Sequence, residues 1–464
     1  MPDLPEELLQ AIITHLPPTS STTRPTLLAL CRTSKTFHRL ATQTLYHTLD
    51  LRPQPLTKVS KADYVRHWET KDDSGFKTAE AAAAAAAAAN RAQPYGLLPE
   101  LLVIFARNPT LASHVREIHL GIWLNDVLRL PANYDTEALV RAASFLGLPA
   151  PLTRKLEAGL RALRRDAMIA LLLALCGAHL ETLRFRMGSD VGFEESVALE
   201  FVAAAAAAGA EGGLPRLERV LKVEHREYDE DGTELAALAP FFALPSVKVF
   251  EGEFMVHCRA ESLEYSARTT HAFLDLSRPS TMQSLTLTLA LVDDSGLDAL
   301  LRSCPVLQSL SIEFASETST YLDVRFYDIG DLLRRWAPQL RRLRLGLEAD
   351  LSEWRYEDEP RIPGLGSLIS LEGLQELAVP VIALFGAENG GFFDCNGWGW
   401  HFRCDEDSVE DIAATLPPAL RKLEVSMTNF ENFEVVERMM RNIIASRDPE
   451  GGSLSVWIDG EEVV

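Results

Sequence analysis

Cysteine is scarce in this chain: Cys31, Cys176, Cys258, Cys304, Cys395 and Cys404 are spread over 464 residues. A scaffold held by disulfides needs far denser cysteine, so that architecture is excluded and most of these thiols are expected to be reduced and buried. Long apolar runs are missing too. No window holds the roughly 18 uninterrupted apolar residues of a membrane span, and the alanine run Ala81 to Ala89 is far too short. Positive charge is in deficit: 45 Lys and Arg stand against 66 Asp and Glu, a formal net charge of −21. That balance argues against nucleic-acid binding through bulk charge, which needs clustered surplus Lys and Arg. The opening residues Met1 to Glu7 are acidic where a secretory leader is basic. Together with the dispersed thiols, this predicts a cytoplasmic or nuclear protein with no membrane partner.

Catalytic signatures are absent as well. The sequence has no Gly-x-Ser-x-Gly, Walker lysine loop, His-Glu-x-x-His, Cys-x-x-Cys or dinucleotide fingerprint. The nearest approach to a metal set is Cys395, His401 and Cys404 with Asp394 or Asp405, whose spacing fits no usual zinc knuckle. An ordered loop over 386–408, packed by Phe392, Trp398 and Trp400, is the better reading. No cofactor, no metal and no catalytic residue are therefore expected. Hydrophobic residues make up 47% and charged residues 24%, ordinary proportions that exclude wholesale disorder.

What the chain does have begins at its N-terminus. Leu8, Leu9, Ile12, Ile13 and Leu16 fall on one stripe of a helix. Pro5 suits its first turn, Glu6 and Glu7 complement the helix dipole, and Pro17-Pro18 stops it. A second apolar run, Leu27 to Cys31, follows. Ser34 then offers an N-cap to a third helix carrying Phe37, Leu40, Ala41 and Leu45. Three short helices this rich in leucine cannot bury all their apolar surface alone, so a partner or the rest of the chain is expected to cover it.

The pattern Leu4-Pro5-x-Glu7-Leu8-Leu9-x-x-Ile12-x-x-x-Leu16, followed by Leu27-x-x-Leu30-Cys31-x-x-Ser34-Lys35-x-Phe37-x-x-Leu40-Ala41, resembles an F-box. The resemblance covers about a tenth of the chain. Many F-boxes carry a tryptophan near the third helix, and here Phe37 or Tyr46 must take its place. It implies docking of a Skp-type adaptor and, through it, a cullin. Leu4, Pro5, Leu8, Ile12 and Leu16 match the family's adaptor-contacting stripe, with Leu30, Phe37 and Leu40 from the later helices; some of these must instead hold the three helices together.

Residues 51–96 read as a polar linker with a polyalanine insertion. Ahead of it, Leu49-Asp50-Leu51 reads as a first short strand. From about residue 97 a unit recurs: a helical stretch, a break, then Leu-x-x-Leu-x-Leu. Clear copies start at Leu180, Leu307, Leu340, Leu374 and Leu420, with weaker ones near Val115, Leu217, Val247 and Leu285. The gaps from Leu307 onward are 33, 34 and 46 residues, longer than the roughly 20–29 of a regular leucine-rich repeat. Leu297 to Leu307, with Cys304-Pro305 at its break, resembles the helix-to-strand junction of leucine-rich repeats in F-box proteins, and Ala337-Pro338 repeats it. The asparagine that usually follows such strands is missing from nearly every copy. The expected fold is thus α/β: a three-helix F-box at 1–50, then an irregular leucine-rich-repeat solenoid over 97–464, with parallel strands on its concave face and helices outside. An unrelated α/β domain with leucine-rich strands is the alternative.

Side chains alternate along a strand, so residues between the leucines face the open side of the sheet. This selects Arg184, Arg186, Ser309, Ser311, Glu313, Arg342, Arg344, Lys422 and Glu424 as candidates for target binding. Arg334, Arg335, Arg341, Arg342 and Arg344 make a basic patch on an acidic chain. Such a patch suits an acidic or phosphorylated peptide; equally, it suits a solvated edge paired with local glutamates, the commoner fate of surface charge. The role implied by both resemblances is the substrate-recognition subunit of an SCF-type ubiquitin ligase. A scaffold that binds the adaptor without delivering a target is the alternative.

Overall fold

The computed structural model describes residues 5–16, 23–51, 97–123, 126–128, 130, 134–187, 196–209, 213–223, 233–257, 276, 278–315, 325–347, 361–362, 364–388, 393–394, 397–398, 412–427, 433–447 and 454–463. Leu4, Pro17-Pro18, the alanine run Ala81 to Ala89 and the candidate ligands Cys395, His401, Cys404 and Asp405 lie outside them. Two compact units divide the chain: Met1–Phe201 with Gly213–Leu217, and Val202–Gly212 with Glu218–Val464.

The first unit opens with helices α1 (Glu6–Thr14), α2 (Thr23–Leu30) and α3 (Lys35–His47). Pro5 occupies the N-cap of α1, one residue ahead of the first turn, and Glu6 and Glu7 follow at the positive end of the dipole. The Ser34 hydroxyl accepts the Phe37 N–H at 3.2 Å, capping α3 as its sequence predicts. Ile13, Leu27, Leu40 and Ala41 form the core of this trio, with Leu9, Leu16, Leu30, Cys31, Phe37 and Leu45 packed partly buried around them. An Arg39–Glu6 ion pair ties α3 to α1.

No loop separates α3 from the sheet. The chain passes directly into β1 (Thr48–Leu51), which pairs parallel with β2 (Glu117–Trp123), and β2 with β3 (Thr182–Met187). Tyr46 of α3 meets Phe105 of α4 (Leu97–Arg107) with ring centroids 5.9 Å apart. A short α5 (Pro109–Ala112) then leads into β2. Parallel neighbours require a crossover. Between β2 and β3 it is supplied by α6 (Thr136–Ser144), α7 (Ala150–Arg161) and α8 (Arg165–Cys176), of which α8 is buried on nearly every side. Its Asp166 carboxylate accepts the Trp123 indole N–H at 2.9 Å, the Ser196 hydroxyl at 2.7 Å and the Val197 N–H at 2.6 Å. Those contacts fix the start of α9 (Val197–Ala208), which the alanine run Ala203 to Ala208 completes.

The second unit is built on an open, largely parallel sheet whose main strands follow chain order: β4 (Arg219–Lys222), β5 (Val249–Glu253), β6 (Ser284–Val292), β7 (Ser309–Phe314), β8 (Arg342–Leu347), β9 (Glu376–Pro380), β10 (Lys422–Ser426) and β11 (Ser455–Ile458). An antiparallel β12 (Glu461–Val463) closes the row. Helices α10 (Asp294–Ser303), α11 (Phe326–Trp336) and α12 (Phe433–Arg447) connect the later strands. Burial alternates strictly along β7 and β10: Leu310, Ile312 and Phe314, and likewise Leu423 and Val425, are buried, while their neighbours reach solvent.

Two backbone features recur at most of the junctions that lead into the strands. The first is a tight turn in which the leucine or valine opening the pattern donates its N–H to the carbonyl three residues earlier. This holds for Val115, Leu217, Val247, Leu307, Leu340, Leu374 and Leu420, at 2.9 to 3.4 Å, and each of these side chains is buried. The second is a carbonyl just before the strand that accepts two N–H groups from the next strand. Gln283, Gln308, Arg341 and Gln375 do this at 2.8 to 3.1 Å, as does Arg116 in the first unit. The absent asparagine ladder therefore leaves no backbone group stranded at these positions, because the neighbouring strand's own amides satisfy them.

Candidate functional site

The trio α1–α3 divides its apolar residues between two duties. Leu40 is 2% exposed and sits in the core, so of the eight residues on the expected adaptor stripe it offers no outward surface. Leu16, Leu30 and Phe37 are half-buried against that core. Pro5, Leu8 and Ile12 project outward, Leu8 at 52% and Ile12 at 56% exposure, and Leu4 lies outside the described residues. Leu28, 47% exposed, belongs with this outward group, although the sequence pattern did not select it. The clue was available: Leu27 and Leu28 are adjacent on a helix and point about 100° apart, so only one can enter the core. Leu8 and Ile12, four residues apart, thus form a short apolar ridge on one face of α1, and Leu28 is exposed separately on α2. Large exposed aliphatic groups placed together mark a surface meant to be covered.

A second feature lies on the open side of the sheet in the second unit. Parallel pairing without a register break aligns Ser309, Arg342, Glu376 and Lys422 in one row, and Ser311, Arg344, Ala378 and Glu424 in the next. Six of the residues selected by alternation thus come together around a shallow depression of about 220 Å³, floored by Leu310, Leu343 and Leu377. Glu313 is on the same strand as Ser309 and Ser311, opposite Gly346. Arg184 and Arg186 occupy the corresponding half-buried positions of β3 in the first unit.

The basic patch is smaller than the sequence suggests. Arg334, on α11, donates to the Leu365 and Ser367 carbonyls at 3.0 and 2.8 Å and pairs with Asp331, so it pins a loop and is not available to a ligand. Lys422 is held by Glu424 at 2.9 Å and lies 5.2 Å from the centre of the Trp457 ring. Sequence reasoning overlooked Glu376, Ala378 and Trp457. The first two follow from the same alternation through Leu377, and Trp457 was hidden because the hairpin β11–β12 was not anticipated.

Among the described residues, no three His, Cys, Asp or Glu side chains converge as metal ligands. No described helix is long and apolar enough to cross a membrane. In a comparison with known families, residues 1–52 match the F-box-like family. No curated protein matches the chain. An F-box-like domain of this kind suggests binding of a Skp-type adaptor in an SCF-type context.

Proposed function

We propose that the chain is the substrate-recognition subunit of an SCF-type ubiquitin ligase, gripping a Skp-type adaptor through α1 and α2 and a target protein through the open strand face. The observation that carries this reading is the exposed ridge of Leu8 and Ile12 on α1, with Leu28 exposed on α2, within the span that matches the F-box-like family. The repeated turn and in-register strands support a second part of the reading, that the region beyond residue 97 is an irregular leucine-rich-repeat domain. A repeat array of this kind exposes a row of strand side chains suited to holding an extended partner.

The role requires no covalent chemistry from this chain. Holding a target beside a ubiquitin-charged enzyme raises effective concentration and fixes orientation, which accelerates transfer without a catalytic residue.

Co-expression with a Skp-type adaptor and a cullin tests the proposal. Both are expected to co-purify with the wild-type chain, and Leu8→Asp or Ile12→Asp is expected to abolish capture while leaving the circular dichroism spectrum unchanged. Each substitution places a charge where the docked partner would desolvate it without a counter-charge. A folded Ile12→Asp chain that still captures the adaptor would refute the assignment, and adaptor without cullin would mark a scaffold instead.

A further inference from the structure

The outward rows of β7 and β8 bring two arginines and two serines together at the depression. Some strand charges are paired, Arg219 of β4 with Glu251 of β5 at 3.1 Å and Lys422 with Glu424 within β10. Among the described residues, the guanidinium groups of Arg342 and Arg344 and the hydroxyls of Ser309 and Ser311 have no hydrogen bond or ion pair at all. These four stand as two facing pairs, Ser309 opposite Arg342 and Ser311 opposite Arg344. Neighbouring strands lie about 4.8 Å apart and alternate residues about 6.7 Å apart, so the four groups mark the corners of a small rectangle of donors. Ala378, opposite Arg344 on β9, has too little side chain to fill the space above it, while the Glu313 side chain packs beside Gly346.

Two arginines on successive outward positions of one strand repel each other, and Arg344 has no acidic residue directly opposite it, Arg342 facing Glu376. Their cost is recovered when an anion sits between them, because a guanidinium presents a planar fork that matches a carboxylate or phosphate, and the serine hydroxyls add two further donors. The volume, about 220 Å³, suits one anionic side chain and not a folded surface. Positive charge left free on a chain of net −21 gives the site its complementarity.

We infer that this depression binds the oxyanion of an acidic peptide segment, a phosphorylated side chain or a glutamate, between Arg342 and Arg344 with Ser309 and Ser311 beside them. The inference deepens the target-receptor reading by naming the chemistry of the target, and it rests on that reading only for what the segment belongs to. Glu376 beside Arg342, Glu424 in the row of Arg344 and Glu313 beyond Ser311 border the site, so it takes a single anion between the two arginines and repels a second.

The test uses the full-length chain and three immobilised peptide pools with random flanks and a fixed centre of phosphoserine, glutamate or serine. The wild type is expected to retain the phosphoserine pool, the glutamate pool or both at least roughly tenfold over the serine pool, as charge-assisted hydrogen bonds require. Arg342→Ala and Arg344→Ala should each lower that retention by about tenfold, and Arg344→Lys should restore only part of it, since a lysine keeps charge but loses the fork. Arg421→Ala, equal in charge removed, should change retention less than about twofold. Preference for phosphoserine over glutamate identifies phosphate as the source of the anion, and equal retention of both shows that a carboxylate suffices. Lack of discrimination among the pools, or an equal loss in Arg421→Ala, overturns the inference. Adaptor capture by the same variants is read separately: Arg344→Ala should keep it, and a wild-type chain that captures no adaptor refutes the ligase role while leaving the anion site standing.

Discussion

At Asp166 a single carboxylate, 1% exposed, satisfies three donors from three different parts of the first unit: an indole, a hydroxyl and the N–H at the start of α9. Removing it strands all three in a dry interior. Asp166→Ala is expected to destabilise the first unit by about 3 kcal/mol, the scale of a broken buried polar network, read by urea denaturation followed through tryptophan fluorescence. A change below 1 kcal/mol would show that water replaces the carboxylate at little cost. The same reasoning separates two leucines of the N-terminal trio. Leu40→Ala should cost about 2–5 kcal/mol because it opens a cavity in a core of very few residues, whereas Leu8→Ala should leave stability within about 0.5 kcal/mol. If both substitutions destabilise equally, the ridge is serving the fold and is not free for a partner.

Elements repeat here, and repetition stacks like upon like. The residue just before the buried leucine or valine of each junction is His114 in the first turn, His179 in the second and Arg216 in the third. Burial lowers the His114 and His179 pKa values below 6.5, and Arg116 lowers both further, aided by His179 on one and Arg216 on the other. A histidine with a folded-state pKa below its unfolded value favours the fold while neutral. The unfolded chain then binds more protons as pH falls, so stability is full above about pH 6.5 and is lost as pH falls through the folded values. The unfolding midpoint of the first unit should therefore drop between pH 7.5 and 5, and a His114→Gln/His179→Gln double variant should flatten that slope. An identical slope in the variant would assign the pH dependence to other groups. The junction also explains what sequence could and could not reveal. Leucine at fixed offsets dictates turn and strand together, so the strands near Leu180, Leu307, Leu340, Leu374 and Leu420 were legible, and alternation then gave most of the depression. Helix α8 offered no stripe because it is apolar nearly all round. The hairpin β11–β12 was signalled only by Asp459-Gly460, whose φ values of +49° and +85° are those of a tight two-residue turn. Leu8 and Leu40 could not be apportioned because periodicity assigns a side of the helix but does not say whether the chain itself or a partner covers it.

Taken whole, the chain sets a local attraction against a global repulsion. Its net charge of −21 opposes the approach of any acidic segment, while Arg342 and Arg344 attract it only at close range. Salt acts on the two differently. The field of dispersed surface charge is screened beyond a Debye length of about 10 Å at 0.1 M, whereas contacts within the depression are screened less. Raising salt from about 0.02 to 0.2 M is therefore expected to increase the association rate constant for a phosphoserine or glutamate peptide, the reverse of ordinary steering toward a basic surface. The dissociation rate should rise over the same range as the contacts themselves weaken, so affinity passes through a shallow maximum. Adaptor binding through an apolar ridge should dissociate at a rate nearly independent of salt. Stopped-flow measurement of both partners across that range separates the terms: an association rate for the acidic peptide that falls steadily with salt would mean that it is drawn by a broad basic surface, and Arg342 and Arg344 would then no longer account for its capture.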